Sequence, residues 1–158
     1  MSQTFPTTKE NLKAAFEELR KNLPLLELGE REINGCKMNY FVNAPKSSRE
    51  MYDLVQMLHG DFPFVHEDGN ELNLSEVLSK AKSIANTLHK NGIKANDFVG
   101  ISMQNCTEWI IAYLGITGLG ATCVPFNSWW KENELSYGIK HSECNCLLYT
   151  SDAADDVA

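Results

Sequence analysis

The sequence predicts an α/β protein in which helices and hairpins precede the start of a parallel β-α-β-α-β sheet. From residue 98 onward, apolar strand-like runs alternate with helical runs through short loops, a pattern typical of parallel sheets with right-handed crossovers. Before residue 98, two pairs of predicted strands meet at the turn dipeptides Asn34-Gly35 and Asp68-Gly69. The 158 residues are 43% hydrophobic and 22% charged, as in ordinary globular chains. We therefore expect the chain to fold around an apolar core.

Three helices are predicted in the first part of the chain, because polar residues at capping-box spacing precede apolar residues at intervals of three and four. These helices begin at Thr7 with Glu10, at Ser47 with Glu50 and at Asn73 with Glu76, and they end before Pro24, Gly60 and Gly92. The strands of the two hairpins are predicted over 26–33 and 36–42, and over 62–66 and 71–74. Helices and hairpins thus alternate up to residue 92.

The parallel sheet is predicted to contain three strands separated by two helices. The strands are expected over 98–103, 121–124 and 144–149, and the helices over 107–119 and 131–140. The segment from Trp109 to Trp130 carries no charge and is long enough to cross a bilayer. It is interrupted by Gly115, Gly118, Gly120 and Pro125, so we predict a buried helix, turn and strand and no transmembrane segment, with a membrane span as the alternative.

Charge and cysteine content exclude several classes of partner. The net charge is −7 and no basic run is longer than Arg20-Lys21, so we expect no nucleic-acid partner. The polar N-terminus lacks an export signal, which predicts a cytoplasmic protein. Five cysteines without CxxC spacing are expected to be reduced, and with four scattered histidines they predict no metal site. These cysteines are Cys36, Cys106, Cys123, Cys144 and Cys146.

Two segments have the composition of a functional site without its pattern. The Gly-rich run 115–120 matches neither GxGxxG nor GxxxxGK[ST], and it is expected to end a helix. We interpret its glycines as allowing a tight turn and close packing. The run His141-Ser142-Glu143-Cys144 places a base beside two nucleophiles, but a catalytic triad is assembled from separate loops. A polar turn between helix and strand is the favoured interpretation.

Two further features are conspicuous, and the first of them lies beyond the carboxyl end of a strand, where open parallel sheets bind ligands. Glu108 and Trp109 follow the first parallel strand. We favour a carboxylate that complements the helix dipole, with the indole packed inward. Trp129 and Trp130 follow the second strand. Either one of them lines an apolar substrate pocket or both cover the edge of the core before the helix that starts at Lys131, and the sequence leaves both alternatives open.

The order of motifs resembles the adenylate-forming superfamily, which comprises acyl-CoA synthetases, luciferases and peptide-synthetase adenylation domains. Asn105-Cys-Thr-Glu108-Trp109 resembles the family's Asn-x-x-Glu-Trp, and the run 120–127 resembles its Gly-Ala-x-x-Val-Pro-x-Asn. Trp129-Trp130 followed by Glu-Leu-Ser-Tyr-Gly over 134–138 is similar to the fatty-acyl-CoA ligase branch. The family usually has Gly at Asn96 and often Pro at Thr107. Asn tolerates a left-handed turn, and Thr is expected to serve as an N-cap.

The resemblance implies an incomplete N-terminal subdomain of an AMP-forming acid–CoA ligase. The parent would convert a small-molecule carboxylic acid, expected to be a fatty acid, with ATP and CoA into acyl-CoA, AMP and pyrophosphate. The family's phosphate loop, its adenine, ribose and metal motifs and its catalytic lysine do not occur in this sequence. We therefore assign no catalytic, cofactor-binding or metal-binding residue and expect this chain to be inactive. The resemblance implies ATP, Mg²⁺ and CoA for the parent, and it leaves peripheral membrane attachment open.

Three regions are predicted, an N-terminal helix over 1–24, a partial AMP-binding domain over 25–149 and an unstructured tail over 150–158. Residues Cys146 to Asp155 can be encoded by TGT CTC TTA TAC ACA TCT GAC GCT GCC GAC, which resembles a sequencing-library adapter translated in frame. The tail is therefore expected to be non-native. Two alternatives remain, a natural short binding protein without catalysis and a fragment of a peptide-synthetase adenylation domain.

Overall fold

The computed structural model describes residues 8–150, and the chain divides between Pro45 and Lys46 into two compact units. The elements of the first unit are α1 (Lys9–Asn22), a 3₁₀ turn (Pro24–Leu26), β1 (Leu28–Ile33) and β2 (Cys36–Phe41). Helix α1 begins at Thr8, whose hydroxyl accepts a hydrogen bond from the Asn11 N–H at 3.2 Å. The N-cap is therefore one residue later than predicted, and the predicted cap, Thr7, lies outside the described residues.

The first hairpin has the predicted turn. Strands β1 and β2 pair antiparallel, with Ile33 opposite Cys36 at the closed end. Asn34 and Gly35 have φ values of 51° and 78°, the left-handed conformation that a type I′ turn requires at both positions. The dipeptide thus fixes the register of the strands beside it.

The second unit starts with a helix, a hairpin and a second helix. Its first elements are α2 (Ser48–His59), β3 (Pro63–Glu67), β4 (Asn70–Asn73) and α3 (Leu74–Lys90). Asn73 and Glu76 form the predicted capping box, in which the Asn73 side chain accepts from the Glu76 N–H at 2.9 Å. The Glu76 carboxylate accepts from the Asn73 N–H at 2.8 Å. The box satisfies two backbone donors where the hairpin passes directly into α3.

A three-stranded parallel sheet completes the second unit and confirms the predicted fold class. Its elements are β5 (Phe98–Ser102), α4 (Thr107–Leu119), β6 (Thr122–Pro125), α5 (Glu132–Ser142) and β7 (Cys146–Tyr149). The strand order is β6-β5-β7, with both pairs parallel. Asn96 adopts φ 71° in the turn before β5, as expected for a residue in place of glycine.

The central strand β5 is covered on both faces. Val99 and Ile101 are fully buried and pack with Ile116 of α4. On the other face, a Cβ at Gly100 would lie 2.5 Å from the Phe126 ring, so glycine allows that ring to approach the strand backbone. Right-handed crossovers place α4 and α5 on opposite faces of the sheet. Because the three strands are parallel, their carboxyl ends meet at one edge of the sheet.

The segment considered as a membrane span on length alone contains most of α4, all of β6 and the loop that follows. No helix within residues 8–150 combines the length and hydropathy needed to cross a membrane. Gly120, with φ 87°, ends α4 in a left-handed conformation and turns the chain into β6. The interruption of this segment by glycine is therefore confirmed.

Candidate functional site

An open groove lies at the carboxyl edge of the parallel sheet, between the loops that follow β5 and β6. Its volume is about 530 Å³. The side chains that give it its character are Met103, Asn105, Trp109, Phe126, Asn127 and Trp129. Doubly wound sheets bind ligands at this edge because loops from neighbouring strands converge there. The groove is therefore the candidate ligand site of the described chain.

Trp109 forms one wall of the groove. Its indole is half-buried and stacks on the Tyr113 ring, with ring centroids 5.6 Å apart and an interplanar angle of 6°. Stacking on the next turn of α4 restricts the orientation of the indole. Trp109 and Asn105 also border a second recess of about 520 Å³, lined by Val65 and Glu67 of the β3–β4 hairpin. The hairpin thus extends the binding surface beyond the sheet.

The two adjacent tryptophans lie in different environments. Trp129 is 76% exposed beside the groove, and its backbone N–H donates to Asn127 Oδ1 at 3.0 Å. Trp130 is half-buried and packs on Phe126, with ring centroids 6.0 Å apart. A Cβ at Gly138 would lie 2.7 Å from the Trp130 ring, which shows how closely α5 approaches it. Trp130 therefore covers the edge of the core and Trp129 does not, so the alternative in which both cover the core was wrong, and the role of Trp129 at the groove stays a prediction.

A carboxylate from the hairpin holds the loop after β5. Glu67 Oε2 accepts hydrogen bonds from the Thr107 N–H, at 3.0 Å, and from the Thr107 hydroxyl. The hydroxyl first and the amide second lower the pKa of the Glu67 carboxyl, because both stabilise its charged form. The expectation that Thr107 acts as the N-cap was wrong. Thr107 is the first helical residue, and Cys106 occupies the cap position without a side-chain hydrogen bond.

Sequence analysis missed Glu67 because its partner is 40 residues away and no local motif links the two. The interpretation of Glu108 fits its position, since this residue is exposed in the first turn of α4. A carboxylate there complements the positive end of the helix dipole. The start of α4 consequently has two acidic groups beside it, Glu108 from its own first turn and Glu67 from the hairpin.

The run His141 to Cys144 forms a polar turn, as the favoured interpretation predicted. The Ser142 hydroxyl donates to the Gly138 carbonyl at 2.7 Å, and its oxygen lies 3.2 Å from Cys144 Sγ. The His141 ring stacks on Tyr137 at 5.4 Å. Glu143 has φ 54° and ends α5. The serine proton is used within the helix and the imidazole faces an aromatic ring, so no nucleophile–base pair is formed here.

The Gly-rich run 115–120 does not fit the phosphates of a nucleotide. It ends α4, and its N–H groups are directed back at the helix. The Gly120 N–H donates to the Thr117 carbonyl at 3.1 Å, and the Ala121 N–H donates to the Ile116 carbonyl at 3.2 Å. Phosphate sites need free N–H groups, usually at the start of a helix. The part of the chain that the structure describes also contains no group of three His, Cys, Asp or Glu side chains placed to hold a metal ion.

The chemistry of the groove is that of binding. None of the described side chains that line it is ionisable, so acid–base catalysis would require groups from elsewhere. Cys123 lies nearby on β6, where burial, with a smaller contribution from repulsion by Cys144, raises the pKa of its thiol to about 11. Such a thiol is almost entirely protonated near neutral pH. Trp109 and Trp129 instead offer apolar faces to a ligand, beside the amides of Asn105 and Asn127, whereas the Phe126 ring is buried beneath them.

Comparisons with known proteins point to one family. Residues 55–158 match the family described as AMP-binding enzyme. The chain is 34% identical over 90 residues to a medium/long-chain-fatty-acid–CoA/3-oxocholest-4-en-26-oate–CoA ligase of Mycolicibacterium smegmatis, a match that covers 57% of this chain and 16% of the ligase. It is 31% identical over 85 residues to a linear gramicidin synthase of Brevibacillus parabrevis, covering 54% of this chain and 1% of the synthase. The chain thus spans a small part of these relatives.

Solved structures share the fold. The N-terminal subdomain of NpsA from Klebsiella oxytoca superposes with a TM-score of 0.64 at 20% identity, over 68% of this chain and 28% of that one. A benzoate CoA ligase from Burkholderia xenovorans superposes with a TM-score of 0.66 at 15% identity, over 72% of this chain and 23% of that one. At these identities the likeness establishes the arrangement of helices and strands.

Proposed function

Because the chain belongs to the AMP-binding enzyme family, we propose that it is the N-terminal part of an AMP-forming acid–CoA ligase acting on an apolar carboxylic acid, with a fatty acid as the first candidate. In such a parent, the carboxylate attacks the α-phosphorus of ATP and pyrophosphate leaves. The thiol of CoA then attacks the acyl-adenylate, and AMP leaves as acyl-CoA forms. The chain alone is inactive in this proposal.

One observation supports the proposal above the others. The two motifs that resemble the family, Asn105 to Trp109 and Gly120 to Asn127, provide the two loops that line the groove. Two aromatic side chains, Trp109 and Trp129, in a groove whose own described lining contains no ionisable side chain suit an apolar acid better than a charged or strongly polar one. The similarity to a fatty-acid–CoA ligase agrees with this substrate class.

ATP, Mg²⁺ and CoA belong to the proposal as requirements of the parent. Neither the Gly-rich run nor any carboxylate cluster among the described residues fits them, so no step of the reaction is assigned to a residue of this chain. We also propose that the parent is cytoplasmic and that residues after about 150 are non-native. The proposal of a non-native tail predicts that the genomic reading frame departs from the present sequence near Cys146.

The test begins with the source gene, sequenced across the codons for residues 144–158. A frame that continues into a Ser/Thr/Gly-rich loop ending in Pro-Lys would support the ligase proposal. The parent would then be assayed for fatty-acid-dependent exchange of pyrophosphate into ATP and for CoA-dependent release of AMP. A genomic stop after Ala158 would contradict it and favour a short binding protein without catalysis.

A peptide-synthetase adenylation domain is the second candidate, favoured by the similarity to a linear gramicidin synthase. The same exchange assay separates the two. Exchange driven by an amino acid, with AMP release unaffected by CoA, would identify an adenylation domain. Exchange driven by a fatty acid and followed by CoA-dependent AMP release would identify the ligase.

A further inference from the structure

Another recess, separate from the groove and from the recess beside the β3–β4 hairpin, lies between helices α2, α3 and α4. Its volume is about 310 Å³, at the lower end of the range of about 300–1,000 Å³ found for small-molecule sites. It shares no lining residue with the groove at the sheet edge. The apolar part of its lining comes from Leu78 and Ala81 of α3 and from Leu114 and Gly115 of α4. Leu78 and Ala81 are each only 3% exposed, so the floor of the recess is continuous with the core.

Glycine in α4 creates this space. At Gly115 the two helices touch, since a Cβ there would lie 2.8 Å from the Ala81 carbonyl oxygen. One turn later, a Cβ at Gly118 would be 3.7 Å from the Tyr52 ring of α2, an ordinary contact distance. Helix α2 therefore lies farther from α4 than α3 does, and the recess opens between these three helices.

Two cations border the recess. The Arg49 Nε–H donates to the Gly118 carbonyl oxygen at 3.2 Å, whereas its terminal nitrogens meet no acceptor within residues 8–150. Lys82 Nζ lies 3.4 Å from Asp53 Oδ1 and donates to Gln56 Oε1 at 3.2 Å. The lining thus contains two cations and one carboxylate, a net positive charge in a chain whose net charge is −7. The anchored guanidinium has two NH₂ groups left for an anion.

The Tyr52 hydroxyl at the rim is paired with the neighbouring Thr117, whereas the Asn86 amide lines the recess without a hydrogen-bond partner within residues 8–150. The Thr117 hydroxyl donates to the Tyr113 carbonyl at 2.7 Å, so its oxygen is the acceptor for the Tyr52 hydroxyl, also at 2.7 Å. A ligand consequently finds an apolar floor and a positive rim. This combination favours an anion with an apolar body.

We propose that this recess binds a small amphipathic monoanion, with its carboxylate on the terminal nitrogens of Arg49 and near Lys82, and its hydrocarbon part on Leu78, Ala81 and Leu114. The site is distinct from the groove and does not depend on the parent's reaction. A carboxylate accepts two parallel hydrogen bonds from one guanidinium, which is stronger and more specific than a single contact. The apolar part replaces water over surface that three helices leave uncovered.

The test uses the ¹⁵N-labelled chain titrated with octanoate, with octanol and acetate as probes that lack the charge or the apolar body. Octanoate is expected to bind saturably and to shift the amide signals of Gly115 and Gly118. Octanol and acetate are expected to bind at least tenfold more weakly. The variant Arg49→Met should lose roughly tenfold or more in affinity, the loss that follows removal of a charge-assisted hydrogen bond.

Two lysines of α3 provide a matched pair. Lys82→Met removes a cation at the recess and should weaken octanoate binding severalfold, whereas Lys80→Met removes an exposed cation of the same helix outside the recess and should not. Absence of saturable binding, or equal affinities for these two variants, would overturn the proposal. If Arg49→Met fails to fold, the shifts in the unmodified chain decide. Shifts confined to Trp109 and Trp129 would place octanoate in the groove and refute the site.

Discussion

The contact between α3 and α4 can be tested with one substitution at two positions of the same helix. Gly115→Ala and Gly118→Ala both replace a glycine of α4 by alanine, three residues apart. The added Cβ at residue 115 would lie 2.8 Å from the Ala81 carbonyl oxygen and 3.0 Å from Ile84 Cβ. At residue 118 the nearest atom is 3.7 Å away, in the Tyr52 ring. Only the first substitution therefore forces two helices apart.

The expected difference in the free energy of unfolding has one contribution that both variants share and one that applies only to Gly115→Ala. Alanine in place of glycine favours a helix by about 0.8–1.0 kcal/mol at either position. Overpacking costs roughly 1–3 kcal/mol. It applies to residue 115 because the atoms nearest the added Cβ are the Ala81 carbonyl oxygen and Ile84 Cβ, which belong to the backbone of α3 or are bonded directly to it. Gly118→Ala should therefore raise the free energy of unfolding by up to about 1 kcal/mol. Gly115→Ala should lower it by up to about 2 kcal/mol, a gap of roughly 1–3 kcal/mol between the variants.

Urea denaturation followed by tryptophan fluorescence and circular dichroism measures both variants against the unmodified chain. The m-values should stay equal, because neither substitution changes how much surface unfolding exposes. A Gly115→Ala chain as stable as Gly118→Ala would refute the close contact between α3 and α4. It would also remove the basis for the recess between the helices.

Three further outcomes are expected. Asn73→Ala removes an N-cap and should lower the free energy of unfolding by about 0.5–2 kcal/mol in urea denaturation, and an unchanged midpoint would argue against the capping box. The pKa of Glu67 is lowered by Thr107, so its stabilisation is complete above the unfolded pKa of about 4.3 and disappears as pH falls through the folded pKa. The melting temperature of Glu67→Gln should therefore differ from that of the unmodified chain at neutral pH and converge with it in acid, whereas a constant difference would contradict the hydrogen bonds. Cys123, with a pKa of about 11, should react with iodoacetamide much more slowly than the exposed Cys36 in a mass-spectrometric time course, and equal rates would show that Cys123 is not buried.

Local signals predicted the elements that the structure contains. Asn34-Gly35 and Asp68-Gly69 predicted two hairpins, and all four residues have positive φ. Asn73 with Glu76 predicted the start of α3 to the residue, because both hydrogen bonds of a capping box join groups within three positions. Apolar strand-like runs that alternate with helical runs predicted the parallel sheet, because helices form the short right-handed crossovers between its strands.

The site was predictable only in outline. The loop after β5, with Glu108 and Trp109, was expected at a ligand-binding edge from the strand pattern alone. The different exposure of Trp129 and Trp130 was not, because it depends on the packing of Phe126 and Gly138 between sheet and helix. The same limit explains the error at Thr107, a suitable N-cap by residue type whose amide and hydroxyl are taken by Glu67.

The sequence by itself determined the two hairpin turns, the N-caps of α2 and α3, the order of helices and strands and the family resemblance. Each of these depends on residues within a few positions of one another, or on motifs in a fixed order. Tertiary structure alone decided which carboxylate holds the start of α4, which tryptophan borders the groove, and where three helices leave a cationic recess. The carboxylate contact and the recess join residues far apart in the chain, Glu67 with Thr107 over 40 positions and Arg49 with Gly118 over 69. The packing of whole helices and strands fixes the distances between such residues. These distances therefore cannot be inferred from residues that are close in sequence.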